Sequence, residues 1–213
     1  RGFGTAFAGD RLHRNMMLES PINVNVCVWG GRLLAFGEQA LPLELDGQTL
    51  ATAGEFDFGG KLNEVSPFSA HAKLDPATGN LLNFGISSSA RQPSLTVYEF
   101  GFPGTLIRRS RFPLSLQHSN HDFGLTGRHL VFFLSPLILD FGRFIRERVS
   151  VMDALTWEPE KGSRILVVPR DSAAGAAFEI PAGAGYCLHL INCHEAGRKL
   201  VVGTSDQTVP VRR

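Results

Sequence analysis

The sequence has few cysteines, almost no charge imbalance and no long apolar run. Its 213 residues include three cysteines, an odd and sparse set without the spacing of a disulfide scaffold: Cys27, Cys187 and Cys193. Because disulfides are rare where cellular thiols are kept reduced, this set favours a reducing compartment, and we expect a cytoplasmic protein. No uninterrupted stretch of about 18 or more apolar residues occurs, so the sequence predicts no membrane-spanning helix.

The near balance of positive and negative charge argues against a nucleic-acid partner. The sequence has 21 Lys and Arg residues against 20 Asp and Glu residues, for a formal net charge of +1. Nucleic-acid-binding domains carry a broad basic surface, so we expect no nucleic-acid partner. There is also no polybasic tract for an anionic membrane, although peripheral contact with a membrane and the oligomeric state stay open. The 43% of hydrophobic residues is enough for one substantial core.

Short runs of β-forming residues recur along the chain, separated by Gly, Pro, Asn and Asp clusters that are typical of tight turns. This pattern predicts an all-β fold, and by itself leaves a sandwich, a closed barrel and a propeller open. One amphipathic helix is predicted near 139–155, as an insertion between strands. The predicted strands are 22–29, 32–36, 80–86, 94–100, 104–112, 129–134, 163–169, 176–180, 186–191 and 198–203.

Three of the seven histidines interrupt strands that are otherwise apolar or flanked by turns: His71, His121 and His189. The first two are 50 residues apart and the last two 68. Without the predicted helical insertion of about 17 residues, both intervals approach about 50 residues, close to the length of one four-stranded propeller blade. One imidazole per blade would then point to a common axis. Convergent imidazoles are ligands for iron, copper or zinc.

A local zinc site is a competing hypothesis for the segment "CLHLINCHE", with Cys187, His189, Cys193 and His194 as ligands. Strand alternation places residues 187, 189 and 193 on one face and His194 on the other. The four side chains therefore cannot all bind one ion unless the strand ends by residue 192. We interpret the cysteines instead as small apolar residues of the core.

Five collinear segments carry a resemblance to a known family. The most specific are "AHAKLDPATG", "HDF" and "HLINCHE", within the matching ranges 23–60, 68–85, 120–140, 164–171 and 189–195. In these segments the sequence resembles the carotenoid cleavage oxygenases, non-haem iron dioxygenases that also act on apocarotenoids and lignostilbenes. The resemblance implies a seven-bladed β-propeller that holds Fe(II) on its axis through four histidines.

The resemblance assigns roles to individual residues. It implies that His71, His121 and His189 are metal ligands, the last in the family pattern His-x-x-Asn-x-x-Glu, which Glu195 completes without a role at the metal. A family glutamate that hydrogen-bonds the outer nitrogen of a ligand histidine falls on Glu38; such a bond fixes the ring orientation.

Family members are longer than this chain, and no fourth ligand motif is present in it. We therefore expect residues 1–213 to be a fragment of a single β-propeller domain that lacks its N-terminal and C-terminal portions. The fourth ligand would be a further histidine downstream of Arg213, close to the C-terminus of the intact protein. The fragment alone is predicted to be inactive.

The resemblance implies oxidative cleavage of one conjugated carbon–carbon double bond in a carotenoid, apocarotenoid or stilbene, giving two carbonyl products. The partners would be an apolar polyene or stilbene substrate and O₂, with Fe(II) as cofactor and no organic cofactor. Two other functions stay open: a catalytically inactive propeller that serves as a binding module, and a hydrolase with zinc on the same three histidines. Metal analysis of the intact protein separates the three.

Overall fold

The structure is a computed structural model that describes residues 7–8, 11–12, 21–63, 66–87, 92–171, 173 and 175–207. The chain divides into two compact units, the first made of residues 1–115 and 141–154 and the second of residues 116–140 and 155–213. Strands dominate both units, which confirms the all-β class. In the part of the chain that the structure describes, no helix is long and apolar enough to cross a membrane.

The first unit contains two four-stranded antiparallel sheets in which successive strands pair, one formed by β3 to β6 and one by β7 to β10. A four-stranded meander of this kind is the repeating element of a β-propeller. The short strands β1 and β2 pair with each other. The strands are β1 (Phe7–Ala8), β2 (Arg11–Leu12), β3 (Asn25–Trp29), β4 (Arg32–Phe36), β5 (Leu43–Leu45), β6 (Thr52–Glu55), β7 (Lys73–Leu74), β8 (Leu81–Ser87), β9 (Ser94–Gly101) and β10 (Thr105–Pro113).

An aromatic cluster forms the core of the first unit. The ring of Phe58 stacks on that of Phe100 with centroids 4.1 Å apart, and Phe68 packs on Phe58 at 5.4 Å. All three side chains are essentially inaccessible to solvent. Each buried phenylalanine contributes about 1.5–3 kcal/mol through the apolar surface it removes from water. The cluster therefore anchors the segment that follows Phe68, which carries one of the predicted ligands.

The predicted helix is present but shorter than the range 139–155. Helix α1 spans Phe141–Glu147 and ends where Arg148 adopts a left-handed backbone conformation with φ of 55°. The next residues form a turn in which the Ser150 hydroxyl accepts a hydrogen bond from Asp153 N at 3.2 Å. Serine side chains that bond to nearby backbone groups compete with helix formation in this way.

The second unit is built around β13, which is buried over most of its 11 residues. Strands β11, β12, β14 and β15 all pair with β13, β16 pairs with β15, and β17 and β18 form a separate two-stranded sheet. The described strands are β11 (His118–Ser119), β12 (Gly124–Leu125), β13 (His129–Leu139), β14 (Leu155–Trp157), β15 (Arg164–Pro169), β16 (Phe178–Pro181), β17 (Tyr186–Ala196) and β18 (Lys199–Gln207), and a short 3₁₀ helix spans Pro159–Lys161.

Candidate metal centre

Two of the three predicted ligands, His121 and His189, lie side by side in the second unit. His121 precedes β12 and His189 lies in β17. Their ring centroids are 5.1 Å apart with the ring planes inclined at 59°, and a nitrogen of each ring lies within 4.8 Å of one in the other. Two nitrogens that each bind one ion at about 2.0–2.1 Å are at most about 4.2 Å apart. A small rotation of the rings therefore allows both to bind the same metal.

The backbone of β17 is irregular at His189. The pairing of β17 with β18 shifts register between Cys187 and Leu190 and again between Leu190 and Asn192. The His189 N–H donates instead to the Ser205 hydroxyl at 3.0 Å, and that hydroxyl donates to the His189 carbonyl at 3.1 Å. Bulges of this kind re-aim a side chain and are common beside active sites.

The carboxylate of Asp122 connects the two ligand segments. One oxygen accepts a hydrogen bond from Phe123 N at 2.8 Å, and the other accepts one from Leu190 N at 3.0 Å. Asp122 is buried, with 4% of its surface exposed. The residue was part of the motif "HDF" in the sequence, but sequence analysis gave it no role. An acidic residue directly after a candidate ligand was the available signal.

Close packing reinforces this connection at Gly124. A Cβ on Gly124 would lie 2.7 Å from the Cβ of Cys193 and 3.3 Å from the side chain of Leu190. Real Cβ atoms do not approach that closely, so only glycine fits the observed backbone. The loop that carries His121 therefore lies directly against β17.

The cysteines of β17 belong to an apolar cluster. Cys187 and Leu190 are buried with Val131 and Phe133, and Cys193 packs against them. The prediction that residues 187, 189 and 193 share one face of the strand is wrong, because the two register shifts break the alternation. Burial raises the pKa of the Cys193 thiol to about 11, with a further contribution from Glu195. Among the described residues, no group of three potential metal ligands includes a cysteine.

Ser135, near the centre of β13, forms hydrogen bonds close to both ligand segments. Its hydroxyl accepts a hydrogen bond from Cys187 N at 3.0 Å, and its carbonyl accepts one from His118 Nδ1 at 2.9 Å. Burial lowers the pKa of His118, which favours the neutral ring with its proton on Nδ1. His118 is therefore a structural histidine, three residues from the candidate ligand His121.

Glu195 completes the connections between β17 and the loop of His121. Its carboxylate accepts hydrogen bonds from the Thr126 hydroxyl at 2.7 Å, from Arg128 Nε at 2.7 Å and from His129 Nδ1 at 3.0 Å. These hydrogen bonds, the one from Thr126 first, lower the pKa of Glu195 to about 2. The sequence had assigned Glu195 to a family motif without a role at the metal, and the structure shows it bonded to the turn between β12 and β13.

His71, in the first unit, follows a firmly held segment. Buried Asn83 donates to the Ser69 carbonyl at 2.9 Å and accepts from Ser69 N at 3.2 Å. The His71 N–H donates to the Ser69 hydroxyl at 3.2 Å. On the other side, Asp75 closes the "DPATG" turn by accepting hydrogen bonds from Ala77 N and from the Thr78 hydroxyl. The half-buried His71 is thus carried by ordered backbone on both sides.

The loop of Glu38 runs beside the same segment of the first unit. Gln39 N donates to the Phe68 carbonyl at 2.9 Å, which places this loop within three residues of His71. Glu38 is half-buried, and its Oε1 atom is inaccessible to solvent. The hydrogen bond from a ligand histidine to the Glu38 carboxylate stays a prediction.

Comparison with known proteins identifies relatives over nearly the whole chain. The family model described as "Retinal pigment epithelial membrane protein" matches residues 1–210. The chain is 32% identical over 208 residues to apocarotenoid-15,15'-oxygenase from Synechocystis, a match that covers 94% of this chain and 42% of the relative. It is 30% identical over 188 residues to isoeugenol monooxygenase from Pseudomonas nitroreducens, covering 88% of this chain and 38% of the relative.

A solved structure has the same backbone arrangement. Cobalt-substituted apocarotenoid oxygenase from Synechocystis superposes with a TM-score of 0.81 at 30% identity, covering 90% of this chain and 41% of that one. The chain thus spans about two fifths of the length of the curated relatives it matches.

Proposed function

The chain belongs to the RPE65 family of carotenoid oxygenases, a family of β-propeller enzymes, and on this premise we propose that the intact protein is a metal-dependent oxygenase. The reaction is oxidative cleavage of one conjugated carbon–carbon double bond, which gives two carbonyl products. The proposal rests on the close approach of the His121 and His189 rings, which occupy the histidine positions of two family motifs. We also propose that residues 1–213 are part of a single β-propeller domain.

We propose that His71, His121 and His189 bind one Fe(II) ion together with a fourth histidine elsewhere in the intact protein. The donor chemistry fits: in the second unit two imidazoles lie close enough to share an ion. When bound, Fe(II) supplies the redox chemistry that allows O₂ to react with an alkene. A set of neutral imidazoles adds no negative charge, unlike the ligand set of two histidines and one carboxylate found in other non-haem iron oxygenases.

The protein residues hold and orient this centre. Asp122, Ser205 and Ser135 fix the backbone on either side of the His121 and His189 rings. We propose that Glu38 accepts a hydrogen bond from the outer ring nitrogen of a ligand histidine, which would fix both the ring orientation and the tautomer.

The proposed substrate is apolar, with a double bond conjugated to an extended π system: a carotenoid, an apocarotenoid or a stilbene. Support comes from the relatives, whose names specify an apocarotenoid and isoeugenol; the alkene of isoeugenol is conjugated to an aromatic ring, as that of a stilbene is. O₂ is the second substrate. All three cysteines are free thiols, which supports a proposed location in the reducing cytoplasm.

Metal analysis with single substitutions tests the proposal. The intact protein, purified under anaerobic conditions, should contain about one iron per chain, and each of H71A, H121A and H189A should lose most of it. The variant H194A is the matched control, because His194 lies in the same strand as His189 yet is outside the proposed set; it should keep its iron. Zinc in place of iron would indicate a hydrolase, and no metal in the intact protein would indicate a binding module.

A further inference from the structure

We infer that Asp122 is a positioning residue that sets the separation of the His121 and His189 rings. Its effect on metal binding rests on the proposed function, whereas its effect on ring separation is a property of the fold alone. Nothing in the family resemblance assigns it a role.

Each carboxylate oxygen of Asp122 bonds to backbone beside a different ligand ring. Oδ1 accepts from Phe123 N, two residues after His121, and Oδ2 accepts from Leu190 N, one residue after His189. A single planar group thus fixes backbone next to both rings. Because Asp122 directly follows His121 in the chain, its bond to Leu190 N is the one that links the two segments, and loss of this bond should change the distance between them.

The hydrogen bond to Leu190 also explains the irregular strand. The Leu190 N–H points to Asp122, and the pairing of β17 with β18 shifts register on both sides of this residue. A backbone N–H that is buried without an acceptor costs about 1–3 kcal/mol. The Asp122 carboxylate therefore stabilises a backbone geometry that a regular two-stranded ladder would not hold, and this geometry aims His189 toward His121.

Burial strengthens the two hydrogen bonds that the Asp122 carboxylate accepts. Asp122 has a relative solvent exposure of only 4%, so water does not compete effectively for its oxygens. Hydrogen bonds to carboxylates are shorter and stronger than those between neutral groups. Asparagine in this place has only one acceptor oxygen, and its amide N–H₂ would face a backbone N–H. Substitution to Asn therefore breaks one of the two links with little change in volume.

The test compares D122N with S163A in the intact protein. Ser163 is a matched control because it is also buried, and its hydroxyl bonds to both the N–H and the carbonyl of Gly185, just before β17. Both variants should lower the melting temperature. In crystal structures of the metal-free proteins, D122N should change the separation of the His121 and His189 centroids by more than about 0.5 Å, whereas S163A should leave it unchanged.

Anaerobic equilibrium dialysis with Fe(II) alone supplies the second readout. D122N should bind Fe(II) about 10-fold or more weakly than the unsubstituted protein, and S163A should bind it equally. If D122N does not fold, D122E retains both acceptor oxygens on a side chain one methylene longer and should shift the ring separation.

Two outcomes would overturn the inference. One is a ring separation in D122N, or in D122E where D122N does not fold, that stays within about 0.5 Å of the original. The other is a loss of Fe(II) affinity that S163A shares at equal loss of stability. If the unsubstituted protein binds no Fe(II), the proposed function fails, and the ring separation still decides the role of Asp122.

Discussion

Glu195 accepts a hydrogen bond from the Thr126 hydroxyl at 2.7 Å, although 69 positions separate the two residues in the sequence. The same carboxylate binds Arg128 and His129, so the turn between β12 and β13 is attached to the C-terminal half of β17. His121 lies shortly before β12, and His189 lies in the N-terminal half of β17. The candidate metal centre therefore depends on contacts well away from its imidazoles.

The stability that Glu195 contributes should depend on pH. Its pKa is lowered from 4.5 to about 2 in the folded protein, so the contribution is fully present above about pH 4.5 and is lost as the pH falls toward 2. We expect E195Q to lower the free energy of unfolding by about 1–2 kcal/mol at pH 7. Urea unfolding at several pH values should show the difference from the unsubstituted protein shrinking below pH 4.5. The substitution E160Q, at an exposed residue, is the control; an E195Q difference that is constant from pH 7 to 3 would contradict the assignment.

Gly124 should not tolerate a side chain. An added Cβ would lie 2.7 Å from the Cβ of Cys193, and overpacking of this kind costs about 1–3 kcal/mol. We expect G124A to lower the melting temperature, and the double variant G124A/C193G to recover part of the loss. The control is G127A in the same hairpin, where nothing lies within 4 Å of the added atom. Equal melting temperatures for G124A and G127A would show that the two segments are not packed this closely.

Asn83 should be essential to the segment before His71. The side chain is fully buried and bonds to both the N–H and the carbonyl of Ser69. Replacement by leucine, which has the same number and branching of side-chain heavy atoms, leaves the Ser69 carbonyl without that donor and should cost about 2–3 kcal/mol. Urea unfolding should show a much smaller effect for N80L, because Asn80 bonds to the half-exposed Glu99. A loss in N83L no larger than in N80L would rule out this anchoring role.

Two of the thiols should react slowly in the folded protein. Burial raises the pKa of Cys27 and of Cys193 to about 11, and only the thiolate is nucleophilic. At pH 8 the rate of alkylation by iodoacetamide should be roughly 100-fold below that of a model peptide with a thiol pKa near 8.5–9. Mass spectrometry of the digested protein measures each site separately, and unfolding in urea should restore the peptide rate. Alkylation of both sites at the peptide rate without urea would contradict the half-buried positions of these two thiols.

Strand starts were predicted better than strand ends. The range 32–36 was predicted and observed without change, and the described strands of seven or more residues all begin within one residue of the predicted start. The ends of β13, β17 and β18, however, lie four or five residues beyond the predicted ends. The missed strands are short, with four residues or fewer; β6 is "TAGE" and β7 has two residues. Such strands form because a neighbouring strand supplies hydrogen bonds, and a single segment contains no information about its neighbour.

The face assigned to His189 in β17 was wrong for a related reason, whereas Cys187 and Cys193 share one apolar cluster as predicted. Alternation with period two predicts one common face for Cys187, His189 and Cys193, and it holds only in a regular ladder. The register shifts arise because Leu190 N–H bonds to Asp122, which lies 68 positions earlier in the chain. The family motifs predicted His121 and His189 as candidate ligands, but neither motif contained the geometry of this bond.

The order of hydrophobic and turn-forming residues is enough to determine the all-β class, the starts of the long strands and the choice of His71, His121 and His189 as candidate ligands, because these depend on local composition and spacing. The tertiary structure decided the bulges at His189, the bridge through Asp122 and the attachment of Glu195 to Thr126. Each of these depends on a buried polar group from one segment that satisfies backbone or side-chain donors of another, and only the folded chain brings such partners within hydrogen-bonding distance.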